Sequence, residues 1–515
     1  MTSGFIEKED VMRKRDYGIL FSAVGLAILG VGGCAKKEVA APPPVAEAKT
    51  PAPANGGKIP ITTSSADAKS EFVQGRDLAE KLRITDSITH FEKAVSLDPS
   101  FATAELNLAA SAPTGKEFFD HLNKAVSLAD KASDGERLLI LATQAGANNN
   151  ALKQKEYLEQ LVAAYPNDER AQFNLGTYYF GQQDFPQAIE HLKKAIEIEP
   201  NFSNACNLLG YGYRQTEDYA NAEKAFQKYI QLIPNDPNPY DSYAELLLKM
   251  GRFDDSIAQY RKALEIEPSF LNAHQGIAMD LLYSGKTKEA VAELDQITQK
   301  ARTDGERRTA LFATTIVDID GAKFAQAVEQ VDKQIALGEK THDVPLIAFD
   351  HNLKANILLE MGKTDQAKAE FERGVGQVED SDLSPEIKAN TRLVEHFDLA
   401  RVALGKKDFA GAKKEAEAYR TGVADSKNPA QKKFAHQLDG EIALAEKDYG
   451  KALAELSQSN LQNPYNLYLL ALANQGKGDK EKTKELATKA ANFNVLPNQN
   501  YAYVRLKAKA LAENI

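Results

Sequence analysis

Two short runs could hold phosphate. Gly285-Lys286-Thr287 and Gly362-Lys363-Thr364 are the residues that end a phosphate-binding loop, in which backbone N–H groups cradle the anion and the lysine reaches it. That loop needs another glycine five residues before its last one, and Asp280 and Ile357 stand there instead. Both triplets are therefore expected to be turns between helices. Eight histidines could ligate a metal or move protons. They make no HExxH pair and no other paired ligand spacing. His274, His351, His396 and His436 share one place near the start of a helix. They are read there as ring substitutes packed between helices. Cys206 falls at the same place and is read as a small buried apolar residue. With Cys34 it makes only two cysteines, too few for a four-Cys zinc site or a disulfide framework. Carboxylate neighbours such as Asp254-Asp255 are expected on a solvated acidic surface. No GxSxG, GxGxxG or Cys/His nucleophile pattern occurs. The sequence predicts neither catalysis, nor a cofactor, nor a metal.

The elements that position these residues must fill 515 residues, enough for three or four domains or one long array. Hydrophobic residues at 43% and charged residues at 26% exclude wholesale disorder. A net charge of -10 disfavours nucleic acid as the partner, because phosphate binding needs a basic face.

Arg13, Lys14 and Arg15 precede an uncharged run, Tyr17 to Gly33, of 17 residues with five glycines. A basic segment before an apolar one is the pattern of a signal peptide. The run is short for a span, which needs about 20 apolar residues. It ends in Val31-Gly32-Gly33-Cys34, which resembles the bacterial lipoprotein processing box. The resemblance implies cleavage before Cys34 and acylation of its sulfur and amine. Two or three acyl chains anchor stably where one is marginal. In the lipoproteins it resembles, Asp after the cysteine often retains the protein at the inner membrane. Ala35 stands here, which points to the outer membrane, periplasmic face, if the organism has one. Residues 1–33 are thus expected to be a signal peptide, and 34–66 a lipidated cysteine and disordered tether. The tether carries Pro42, Pro43, Pro44, Pro51, Pro53 and Pro60 and almost no large apolar residue. Such a chain favours extended polyproline II at about 3.1 Å per residue.

Beyond the tether the chain repeats. Pro166, Pro200, Pro234 and Pro268 fall 34 residues apart. Between them lie two amphipathic helical patterns and a polar turn. Leu175-Gly176 is followed by Tyr179, Ala188, Ala195 and Pro200, and Leu209-Gly210 by Tyr213, Ala222, Phe226 and Pro234. This resembles the tetratricopeptide repeat (TPR) signature. Gly176, Gly210, Ala188 and Ala222 let paired helices approach, the aromatic rings fill the space between them, and the proline stops the second helix. Well-defined repeats are read at 68–101, 135–168, 169–202, 203–236, 237–270 and 271–304. The TPR array thus spans 67–304. Residues 305–515 are read as degenerate TPR-like hairpins with a C-terminal cap. The expected fold is all-α: an α-solenoid of helix hairpins, wound as a right-handed superhelix and preceded by the signal peptide and the Pro/Ala-rich tether.

Such a solenoid presents an extended concave surface lined by the first helix of each hairpin. The register places Phe173, Thr177, Asn207, Tyr211, Asp241, Glu245, Gln275 and Met279 inward. The resemblance implies a partner protein there, as an extended peptide or helix. The expected function is a lipid-anchored, non-catalytic scaffold for protein–protein interaction at the bacterial cell envelope, touching the membrane through its lipid. A structural or assembly accessory of an envelope secretion or surface-polymer system is the alternative, and a solute-binding lipoprotein a weaker one.

Overall fold

Hairpin after hairpin turns at a residue with positive φ, and the spacing of these residues sets the architecture. In the computed structural model, which describes residues 57–112, 115–148, 150–383, 385–424 and 429–515, such residues fall at Gln183, Glu217, Gly251 and Gly285, 34 apart. They continue at Ala322, Gly362, Lys407, Lys447 and Gly478, at intervals of 37, 40, 45, 40 and 31. The residue after each one caps the next helix. Asp184, Asp218, Asp408, Asp448 and Asp479 do so with a side-chain oxygen that accepts a backbone N–H, a common N-cap interaction. Gly285 (φ +85°) and Gly362 (φ +72°) are turn residues of this kind. Lys286 and Lys363 are then the N-caps, and the two triplets are helix-to-helix turns.

The described residues form 25 α-helices and no strand. They divide into two compact units. The first holds α1 (Ala66–Glu80), α2 (Ile84–Leu97), α3 (Ala102–Ser111) and α4 (Gly115–Leu128). Phe72, Phe91 and Phe101 are buried at its centre. Thr63 donates to Asp98 at 2.5 Å, so the residues just before α1 are packed.

The second unit begins with the regular hairpins: α5 (Asp134–Ala147), α6 (Ala151–Ala164), α7 (Glu169–Gly181), α8 (Phe185–Ile198), α9 (Ser203–Gln215), α10 (Tyr219–Leu232), α11 (Asn238–Lys249), α12 (Phe253–Ile266), α13 (Leu271–Tyr283) and α14 (Thr287–Lys300). Longer helices follow: α15 (Asp304–Asp320), α16 (Phe324–Thr341), α17 (Val344–Glu360), α18 (Thr364–Glu379), α19 (Pro385–Gly405), α20 (Phe409–Val423) and α21 (Pro429–Ala445). The chain closes with α22 (Tyr449–Leu456), α23 (Pro464–Lys477), α24 (Lys480–Ala491) and α25 (Gln499–Glu513).

Paired helices approach where glycine faces a ring or a branched side chain. A Cβ on Gly210 would meet the Phe226 ring at 2.7 Å, and one on Gly176 would meet Leu192 at 3.0 Å. A Cβ on Gly276 would run into the buried Tyr260 ring, more closely still. Cys206 is buried as expected, and burial pushes its thiol up to about 11.

Two features depart from the sequence expectation. The last residues assigned to the tether are held in place. Ile59 donates its backbone N–H to Asp168 at 2.9 Å, Lys58 pairs with Glu169, and the Ile59 side chain packs against the cluster of Leu138 and Tyr165. The second departure concerns α15 to α25, whose inner helices meet α25 instead of lining an open concave face; a cleft of about 420 Å³ lies beside them, between α16, α17 and α18. α25 packs directly against α15 as well as α23 and α24. Ala502, Tyr503 and Val504 of α25 share one core with Ile316, Ile319, Leu353 and Ile357 of α15 and α17. The first helices of these hairpins therefore close into a ring around a filled centre. Along the ring's seam, Lys249 Nζ donates to the Phe493 carbonyl at 2.7 Å and Tyr283 to the Val495 carbonyl at 2.7 Å.

Candidate partner-binding strip

The inward positions read from the sequence lie on α7, α9, α11 and α13, four residues apart on each helix. Residues at that spacing share one helix face. They are not equally accessible. Thr177 is exposed, its hydroxyl donating to the Phe173 carbonyl at 2.9 Å. Phe173 is half-buried, with its ring 5.2 Å from that of Phe202. Asn207 is 7% exposed, and its Oδ1 accepts no hydrogen bond. Gln275 is half-buried. Met279 is fully enclosed in a core cluster with Leu248, Leu282 and Val317, so its side chain serves packing.

Between these ends the strip has an internal polar network. The Tyr211 hydroxyl donates to Glu245 at 3.1 Å and lies 3.3 Å from the Ser242 hydroxyl. Arg214 Nη1 donates to Glu245 at 2.9 Å, and its guanidinium lies 4.6 Å from the Tyr211 ring centre. Glu245 is thus neutralised from within the chain. Asp241 is buried beside it, and burial together with the Glu245 charge holds its carboxyl well above the usual carboxylate range. The acidic stretch at Asp241 and Glu245 therefore presents little free charge. Arg214 lies three residues after Tyr211, outside the four-residue spacing used to choose the strip, and was missed for that reason.

At its exposed end the strip opens into a cleft of about 190 Å³ between α5, α6 and α7. Thr143, Gln154, Asn174, Thr177 and Gln182 supply its polar lining, and Leu139 and Leu158 are among its apolar walls. Among the described residues no charged side chain lines it. Such a surface suits an uncharged extended segment, whose backbone groups need hydrogen-bonding neighbours and whose small apolar side chains need shallow walls.

The histidines do more than fill space. His274, His351, His396 and His436 each place Nδ1 at 2.6–2.8 Å from a carboxylate oxygen on the second helix of the same hairpin: Glu293, Glu370, Glu415 and Glu455. The partner is always 19 residues later. That spacing was present in the sequence and would have found the pairs. His191 bonds Gln172 across the same distance, with the order reversed. Among the described residues no group of three or more His, Cys, Asp or Glu could hold a metal ion. Cys34 lies outside the described residues.

Residues 169–202 match a family model described as tetratricopeptide repeat. Residues 203–236, 238–270 and 351–376 match a second model of that description. Similar solved structures include a crystal structure of MamA protein, at 23% identity over 32% of this chain and 91% of that one, with a TM-score of 0.29. MamA from residue 41 to its end, from Desulfovibrio magneticus RS-1, is similar at 15% identity over 33% of this chain and 97% of that one, TM-score 0.30. TTC0263, a thermophilic TPR protein of Thermus thermophilus, is similar at 23% identity over 42% of this chain and 99% of that one, TM-score 0.28. No curated protein matches.

Proposed function

We propose that this chain, a TPR protein with recognised repeats at 169–202, 203–236, 238–270 and 351–376, is a non-catalytic scaffold that holds an extended, largely uncharged segment of another protein along the strip from Thr177 to Tyr211. The observation that carries this reading is the contrast along the strip. Its Thr177 end is open and leads into an uncharged cleft, whereas Glu245 is already paired with Arg214 and Met279 is enclosed. An interface core depleted of charge and walled by polar amides and apolar side chains is the usual composition of a specific contact.

Thr177→Arg tests the reading without touching the core, because Thr177 is exposed. In-cell crosslinking followed by mass spectrometry should capture a discrete partner with the wild-type chain and lose it with the variant. Identical capture by both would leave the strip idle and favour a structural subunit, a role supported by the closed C-terminal ring. A solute-binding role would instead need a closed pocket, and the cleft at the strip's end is open.

The location we propose is the cell envelope, by a lipid on Cys34. Support comes from the Val31-Gly32-Gly33-Cys34 box behind a basic and then apolar segment. Among the described residues no helix is long and apolar enough to cross a membrane. Cys34→Ala should move the protein from the membrane fraction to the soluble fraction. Retention in the membrane would point to an uncleaved anchor helix at Tyr17–Gly33.

A further inference from the structure

Residues 34 apart hold equivalent places in successive hairpins, so the inward residues form two rows that cross the helices. One row is Thr177, Tyr211, Glu245 and Met279. The other, one helical turn nearer the helix starts, is Phe173, Asn207, Asp241 and Gln275. The first row is bonded to itself. Tyr211 on α9 reaches across to Glu245 on α11 at 3.1 Å, and Arg214 answers the Glu245 charge at 2.9 Å.

The second row has no such closure. Asn207 and Asp241 stand to each other as Tyr211 and Glu245 do, one turn back on the same two helix faces. Each is 7% exposed. Asn207 Oδ1 accepts no hydrogen bond. Among the described residues no hydrogen bond or ion pair reaches the Asp241 carboxylate or the Gln275 amide. The donors nearby are committed or turned away. Arg214 and Tyr211 are held by Glu245, Tyr229 donates to Asn238 Oδ1 at 3.0 Å, and the buried Tyr260 hydroxyl donates to neither acceptor. Buried acceptors without donors carry a desolvation cost that an incoming donor relieves. The turn between α24 and α25 does not cover this row. It meets Lys249 and Tyr283, two turns away on α11 and α13.

We propose that this row reads one basic residue of the partner segment: a Lys or Arg side chain donates to Asp241 and Asn207, while an apolar side chain of the same segment lies on Phe173. The inference rests on the proposed function and adds the partner's chemistry to it. A single cation suffices, because Arg214 already answers Glu245. An acidic residue in that place would face Asp241 with no counter-charge. α7, α9 and α11 pack side by side, and packed helix axes lie about 8–10 Å apart. Phe173 and Asp241, two helices apart, are therefore separated by about 16–20 Å, which an extended chain covers in about five or six residues.

The probes are fluorescent synthetic peptides of Ala, Ser, Gln and Pro with one Leu, added to the full chain. A single Lys is placed at successive distances from the Leu, and twin peptides carry Gln or Glu in its place. Affinity should peak when Lys and Leu are about five or six residues apart, roughly tenfold above the Gln twin. The Glu twin should bind more weakly than the Gln twin. Asp241→Asn in the chain should remove the gain from Lys and leave the Gln twin unchanged. If circular dichroism shows that this variant misfolds, the ranking of Lys, Gln and Glu peptides on the wild-type chain decides alone. Equal affinity for Lys and Gln twins overturns the inference. So does a gain that ignores the position of Lys, which would reflect only attraction to a chain of net charge -10, or a gain that survives Asp241→Asn. These outcomes leave the uncharged-segment reading standing. Absence of saturable binding by every peptide, the Gln twins included, overturns that reading and this inference with it.

Discussion

Hairpins α5–α14 and α15–α25 use the same turn chemistry and reach opposite outcomes. In the first stretch the positive-φ turns recur every 34 residues and the first helices have 12–14 residues. Their inner faces stay side by side as a strip. In the second stretch helices of up to 21 residues stretch the turn spacing to as much as 45. Those helices curl until α25 meets α15, and what would be groove becomes core around Ile357 and Tyr503. A concave surface for partners is therefore not a property of every helix-hairpin array. It depends on whether the inner faces remain apart.

Breaking the seam should give the largest effect. Arg505→Ala leaves Asp320 buried and unpaired, which costs roughly 3–5 kcal/mol. In urea unfolding followed by hydrogen exchange, loss of protection should begin in α15, α17 and α25 while α7–α10 remain protected. Uniform loss along the chain would mean that the two regions are one cooperative unit.

Crowding a regular hairpin should come next. Gly276→Ala puts a methyl against the Tyr260 ring, which is fully buried and has no room to withdraw. The expected cost is about 1–3 kcal/mol, read as a lower denaturation midpoint. Gly176→Leu should loosen its own hairpin in the same way, and an unchanged melting curve would refute the assigned register.

Asp280 offers a pH test within the regular region. Neither carboxylate oxygen accepts a hydrogen bond, and the neighbouring Ser256 hydroxyl donates to the Ala244 carbonyl at 2.8 Å instead. Burial pushes the acid up to about 8 from 3.8. The folded chain therefore binds more protons than the unfolded one between those values, and stability falls as pH rises through that window. Asp280→Asn should flatten the fall and raise stability at pH 7 by up to about 4 kcal/mol. At the seam, burial pushes Lys249 down to about 7 from 10.5. The unfolded chain then binds more protons between 7 and 10.5, so Lys249 makes stability rise with pH there. Lys249→Met should remove that rise. Thermal denaturation of both variants from pH 4 to 10 separates the two slopes.

The smallest effect should come from the cross-hairpin pairs. His396 and His436 are 42% and 35% exposed. Replacing each by Gln keeps a hydrogen-bonding group opposite Glu415 or Glu455 and should change stability by about 0.5 kcal/mol or less.

Much of this was legible in the sequence because the regular hairpins are built from local chemistry. The proline spacing, the Gly176 and Gly210 approaches, the Gly-Lys-Thr turns and the burial of Cys206 all follow from residues within one hairpin. What was not legible depends on separations the repeat does not encode. Arg505 meets Asp320 across 185 residues, and Ile59 meets Asp168 across 109. The eight residues read from the repeat register do lie four apart on α7, α9, α11 and α13, but their accessibility was not foreseeable from spacing. Arg214 neutralises Glu245, and Met279 packs against α15 through Val317. The His–Glu pairs are an intermediate case: their 19-residue spacing is a property of the hairpin and was overlooked rather than hidden.

The most direct test of the account places a photo-crosslinking amino acid at Thr177, on the strip, and separately at Leu506, which is 46% exposed on α25. After irradiation in cells, the Thr177 position should give a discrete crosslinked protein band that disappears when Phe173→Ala is added. The Leu506 position should not capture that band. A shared band from both positions, or none from Thr177, would contradict an open strip that alone carries the partner.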